Sequence, residues 1–153
     1  MSRTIQTIED FKSEVDRLLA LLVPHLTDAH AMHNFAGEIL PPRRDLFVTF
    51  DHPIGDATPF VEGGDGVFDF VISERGTEYR RERGTAHEVL GKLFIGLTSQ
   101  LTHAYGFRRG GAEPLLDCFD EQERLLALLD AGWAAEAARQ NQPHRERIAR
   151  EHG

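Results

Sequence analysis

No segment of this 153-residue chain limits its fold as much as Val67 to Tyr105, which reads as strand, tight reversal, strand and capped helix. β-Branched and aromatic residues dominate Val67-Phe68-Asp69-Phe70-Val71-Ile72, and Phe68, Phe70 and Ile72 share one face at period two. Arg75-Gly76 supplies a two-residue reversal, because glycine takes the positive φ that such turns need. Thr77 to Arg83 is polar on both faces except at Tyr79, which predicts an exposed or edge strand. Thr85-Ala86-His87-Glu88 then reads as a capping box. Val89, Leu90, Leu93, Phe94, Leu97, Leu101 and Tyr105 follow at three- and four-residue spacing, the pattern of a helix with a broad apolar face.

Around that stretch the remaining elements fall into order. Thr7-Ile8-Glu9-Asp10 opens a first helix whose stripe is Ile8, Phe11, Val15, Leu18, Leu19 and Leu22, stopped at Pro24. A weaker helical pattern runs from Thr27 or Asp28 to about Leu40. Asp45 to Asp51 predicts a strand, Pro59 to Glu62 a short one, and Gly63 to Gly66 a turn into the central strand. Gly106 is the expected C′ residue of the long helix and Pro114 the first residue of the next. Leu115, Phe119, Gln122, Leu126 and Leu129 line that helix, Asp130 caps another, and a short last helix carrying Trp133 ends before Pro143. Segregated strands and helices of this kind predict an α+β fold. It has an N-terminal helix (or two), a three- to four-stranded antiparallel meander, and two or three C-terminal helices packed on one face of the sheet. The expected organisation is one domain over residues 1–142 and a polar, frayed tail over 143–153.

Composition narrows the function. No apolar run approaches the ~18 residues of a membrane helix. The N-terminus lacks the basic and apolar regions of a secretory signal, and the single cysteine, Cys118, permits no internal disulfide. A cytoplasmic location without membrane contact is the expectation. The net charge of −8 is uneven: residues 44–72 carry six acids against Arg44, and residues 111–138 carry seven against Arg124. Such a chain repels nucleic acid at long range and attracts basic partners. The arginines of the hairpin, Arg75, Arg80, Arg81 and Arg83, are interleaved with Glu74, Glu78 and Glu82, which cancel most of their field.

Catalytic signatures are missing. His30 and His33 stand three apart, and on a helix they would share a side with Asp28 or His25 nearby, a spacing that zinc accepts. Neither H-E-x-x-H nor a cysteine pair accompanies them, and no nucleophile elbow or P-loop is present. The reading therefore names no catalytic residue, no metal ligand and no cofactor.

Two stretches carry a resemblance. Phe70-Val71-Ile72-Ser73-Glu74-Arg75-Gly76-Thr77-Glu78 with Arg80-Arg81 and Thr85, and Phe119-x-x-Gln122-x-x-Leu125-Leu126-x-x-Leu129-x-x-x-Trp133-Ala134, resemble the immunity protein 63 family of bacterial polymorphic toxin systems. The likeness extends over about residues 67–140. It implies a cytoplasmic protein that protects its own cell by binding a cognate toxin, without catalysis. In that setting Ser73, Glu74, Arg75 and Gly76 form the hairpin turn, and the stripe from Phe119 through Gln122 to Trp133 packs helices. The acids of the strand–loop region, Asp51, Asp56, Glu62, Asp65 and Asp69, are the expected partner-binding residues, because basic toxin clefts would be drawn to them. The alternatives are a small metal-dependent enzyme using His30 and His33, and a ligand-binding or regulatory domain that homodimerises through the sheet edge.

Overall fold

Alternation and helical spacing resolve into ten elements in a computed structural model that describes residues 4–30, 32–33, 39–40, 44–53 and 58–152. They are helix α1 (Ile8–Leu22), strands β1 (Met32–His33), β2 (Ile39–Leu40), β3 (Phe60–Gly64), β4 (Val67–Glu74) and β5 (Thr77–Thr85), and helices α2 (Ala86–Thr102), α3 (Tyr105–Arg109), α4 (Pro114–Ala127) and α5 (Ala131–His152). The fold is α+β: an N-terminal helix, a three-stranded antiparallel sheet, then helices. By contacts the chain forms two compact units, residues 1–20 with 42–94 and residues 21–41 with 95–153.

The first unit is built on the meander β3-β4-β5. Each of its connections is two residues long, Asp65-Gly66 and Arg75-Gly76, and all four residues have positive φ (54°, 79°, 53° and 79°). That conformation matches the right-handed twist of the strands it joins. Gly66 also donates its N–H to the Gln6 carbonyl at 3.0 Å, tying the first turn to the segment before α1. α1 lays Phe11 against the sheet, with its ring centroid 4.9 Å from that of Phe68, and both rings are fully buried. Both caps form as the sequence indicates. Thr7 Oγ1 accepts from Asp10 N–H at 3.1 Å, and Thr85 Oγ1 accepts from Glu88 N–H at 3.2 Å while Glu88 reaches back to the Thr85 N–H at 3.0 Å. β5 borders the sheet and is largely exposed.

Residues 45–51 depart from the expected strand. Arg44–Leu46 forms a 3-10 turn, held where the Arg44 guanidinium donates to Asp16 at 2.8 Å and to the Lys12 carbonyl at 3.3 Å. Phe47 and Val48, which follow that turn, are both buried. Only Thr49 pairs, in a single parallel bridge to Phe60.

Among its described residues the second unit's regular elements are helices and the β1–β2 pair. The helix expected from Thr27 or Asp28 to Leu40 is not formed by its described residues: Asp28–His30 is a 3-10 turn, and β1 pairs antiparallel with β2. α2 stops at Thr102 rather than at Tyr105. Gly106 lies inside α3, where a side chain would strike the Pro114 carbonyl, and the left-handed cap (φ 69°) is Gly110. α4 begins at Pro114, and Asp130 Oδ1 accepts from Trp133 N–H at 3.1 Å at the start of α5. The expected helix end at Pro143 and the frayed tail give way to a helix that runs through Pro143 to His152. Buried Ile148 and the Arg145 guanidinium, which donates to Asp120 at 2.8 Å and Glu123 at 2.7 Å, hold it against α4 and offset the hydrogen bond that proline forfeits.

Candidate functional site

The sequence-predicted acids do not form one cluster of free carboxylates. In the register of the meander, Glu62 on β3, Asp69 on β4 and Arg83 on β5 stand opposite one another, and Arg81 lies two residues along the same face. The Arg81 guanidinium donates to Glu62 at 2.6 Å, Asp69 at 2.7 Å and Glu78 at 2.8 Å, and Arg83 Nε donates to Asp69 at 2.9 Å. Asp69 is buried beneath this lattice. The Arg83 hydrogen bond, joined by Arg81 and opposed by burial, holds its carboxyl below the usual carboxylate range. Asp51 is exposed, Asp65 is exposed in its turn, and Asp56 lies outside the described residues. Of the motif residues, Ser73 is buried at the end of β4. Glu74 accepts the Tyr79 hydroxyl at 2.6 Å across the Arg75-Gly76 reversal, which raises the tyrosine's pKa.

The second unit holds a cluster that no short spacing announces. His30 and Glu121 are both buried, and His30 Nε2 meets a Glu121 carboxylate oxygen. His30 Nδ1 accepts the Thr27 N–H at 2.9 Å, so the ring hydrogen is on Nε2 and points to Glu121. Arg124 donates to the same carboxylate through two nitrogens, at 2.6 and 2.7 Å. Burial pushes Glu121 up, but the Arg124 and His30 hydrogen bonds outweigh it and leave the group below its ordinary value. The Tyr105 ring covers the imidazole at 4.7 Å. Beside this cluster opens a cavity of about 390 Å³, lined by Tyr105, Arg109, Asp117, Asp120, Glu121 and Arg124.

This geometry removes the helical argument for His30 and His33 as joint metal ligands. They belong to different elements, a 3-10 turn and β1, and both nitrogens of His30 are already taken by the protein. Among the described residues no three His, Cys, Asp or Glu side chains group so as to hold a metal ion, and no helix is long and apolar enough to cross a membrane.

Gln122 is buried and donates to the Ile95 carbonyl at 3.1 Å, and it receives the Asn141 amide at 3.1 Å. Phe119 packs between the His144 ring (5.9 Å) and the Arg145 guanidinium (5.7 Å), and Trp133 is buried. Asn141 was not readable as part of this network, since a polar residue in a polar sequence carries no pattern.

The two units together define a small α+β protein whose carboxylates are fixed by neighbouring arginines on charged surfaces. The family model of immunity protein 63 matches residues 64–143, just over half of the chain, and the chain belongs to that family. No curated protein and no solved structure matches it.

Proposed function

We propose that this chain neutralises a cognate bacterial toxin of a polymorphic toxin system by binding it in the cytoplasm and covering its active site, with no catalysis of its own. Family membership supports an immunity role. The observation that favours recognition by charge is the exposure of Asp51, Glu62 and Asp65 on the first unit. Asp69, Glu82, Glu88 and Glu121 are held below their ordinary values by hydrogen bonds from within the fold, so they serve the fold rather than a partner directly.

The recognition surface on this reading is carried by the exposed acids of the first unit, Asp51, Glu62 and Asp65, with Asp56 five residues on from Asp51 in the sequence. Asp69 acts from beneath by fixing Arg81 and Arg83. Co-expression with the toxin domain encoded beside it is the direct test, and the expected outcome is survival of cells that the toxin alone kills. Stopped-flow association should slow at least about tenfold between low and physiological salt, because exposed charges steer encounter only within a Debye length. An on-rate indifferent to salt removes the acidic surface from the account. Stoichiometric zinc or iron in protein purified without a histidine tag would argue for an enzyme instead.

A further inference from the structure

The cavity of about 390 Å³ in the second unit has a wall of both charges. Arg109 and Arg124 line it together with Asp117, Asp120 and Glu121, and Asp120 has the Arg145 guanidinium as a further partner. Three guanidinium groups therefore stand against three carboxylates. Bonds within the fold occupy only part of this set. Glu121 is fully occupied, because Arg124 Nε, Arg124 Nη2 and His30 Nε2 take its two oxygens. Arg124 keeps Nη1, which donates to no described residue. Arg109 donates through Nη1 to the Tyr105 hydroxyl at 2.6 Å and keeps Nε and Nη2. Tyr105 is 9% exposed, and its oxygen accepts from Arg109, so its own hydrogen has no acceptor among the described residues. Asp117, half-buried, is the free acceptor. Its carboxylate takes no hydrogen bond from a described residue, and it rests against Gly111, where any side chain would strike Oδ2.

We propose that this cavity binds a small zwitterion, an amino carboxylate with both charges on one short carbon skeleton. The free guanidinium edges of Arg109 and Arg124 and the Tyr105 hydroxyl hydrogen are donors, and a carboxylate is the acceptor that suits them. The Asp117 carboxylate suits an ammonium, which only donates. A plain anion would gain the arginines but face Asp117. A plain cation would gain Asp117 but face two guanidinium groups. A ligand carrying both charges satisfies both sets. The balanced charge of the wall agrees, since it draws in neither a net anion nor a net cation from a distance. The volume lies at the small end of ligand cavities, which fits a molecule of a few carbons with its water. The inference is independent of the toxin-binding reading, because none of Asp51, Glu62 and Asp65 lines the cavity.

The test uses the full chain, ¹⁵N-labelled, titrated with glycine, β-alanine and 4-aminobutanoate, whose charges stand progressively further apart. Propionate and ethylammonium, with one charge each, are run alongside at the same ionic strength. Saturable amide shifts are expected at Gly111, Asp117 and Arg124 for at least one zwitterion. Both single-charge probes should bind about tenfold or more weakly, the value of one charged hydrogen bond. A single-charge probe that binds as tightly as the best zwitterion, or no saturable shift with any of the three, overturns the proposal. Asp117→Asn should weaken the zwitterion about tenfold and leave propionate no weaker. Tyr105→Phe keeps the ring against His30 and should weaken zwitterion and propionate alike. Gly111→Ala, at an exposed position, pushes the Asp117 carboxylate aside without changing any charge, and should act in the same direction as Asp117→Asn. An unchanged Tm shows for each variant that the fold is kept. Binding by Asp117→Asn as tight as that of the parent chain overturns the proposal.

Discussion

Two carboxylates, one in each unit, are held by basic partners in contrasting ways. Asp69 lies under Arg81 and Arg83 on the sheet, and those arginines are well exposed, as is the Glu62 that shares Arg81. Glu121 lies under Arg124, which is also half exposed, but its other partner is the buried imidazole of His30. The sheet pairs are rungs of a ladder, repeated from strand to strand, and water reaches the arginines if one acid is lost. In the helical cluster the donor itself is buried: without Glu121 the His30 Nε2–H would face only the cavity that Glu121 lines, not the open surface that the sheet arginines reach. Burial of the donor, more than the number of ion pairs, should decide which loss costs more.

The largest effect is therefore expected from Glu121→Ala, which should lower stability by about 3 kcal/mol in urea unfolding, since it orphans a buried donor. Adding His30→Phe should recover part of that loss, because removing both polar partners is less costly than removing one. A double variant as unstable as the sum of the singles would break the coupling. Asp69→Ala should cost about 2 kcal/mol, as two partly hydrated arginines lose a charged acceptor.

Acid should weaken both sites in the same direction. A carboxyl depressed in the folded state stabilises the fold above its unfolded pKa, and that contribution drains away as pH falls through the folded value. With ordinary values of 3.8 for Asp69 and 4.5 for Glu121, the urea midpoint should hold at neutral pH and fall below about pH 4. Asp69→Asn should flatten part of that acid limb, and an unchanged limb would separate Asp69 from it. Thr85→Ala should cost about 1 kcal/mol through its cap. The smallest effect belongs to Glu62→Ala, about 0.5 kcal/mol or less in stability, as for an exposed ion pair. If Glu62 serves recognition, toxin association should slow far more than stability falls.

The same contrast explains what the sequence could and could not reveal. Rungs follow from alternation and turn chemistry, so Asp65-Gly66, Arg75-Gly76 and the Thr85–Glu88 box are readable in a few residues each. That legible part also carried the family resemblance over about residues 67–140, close to the matched 64–143. His30 and Glu121 lie 91 residues apart, and no periodicity joins a 3-10 turn to a helix face. Reading residues 27–40 as a helix placed His30 beside His33 instead. A cleft of about 310 Å³ beside α3 and α4 was hidden for a related reason. It depends on α2 ending at Thr102 and on Gly106 letting α3 approach Pro114, while Gly106 by spacing alone looks like a helix terminator. Tail residues 143–152 looked too polar to stay ordered, yet among the described residues His144, Arg145 and Ile148 help to dock them.

The two short reversals carry a kinetic consequence. A meander closed by adjacent hairpins draws its register from neighbours in sequence, and hairpins of this size form in roughly 1–10 μs. The sheet can therefore be in place while the ribosome is still adding the later helices, which synthesis supplies at about 5–20 residues per second. The pairing of His30 with Glu121, 91 residues apart, must by contrast wait until α4 has emerged.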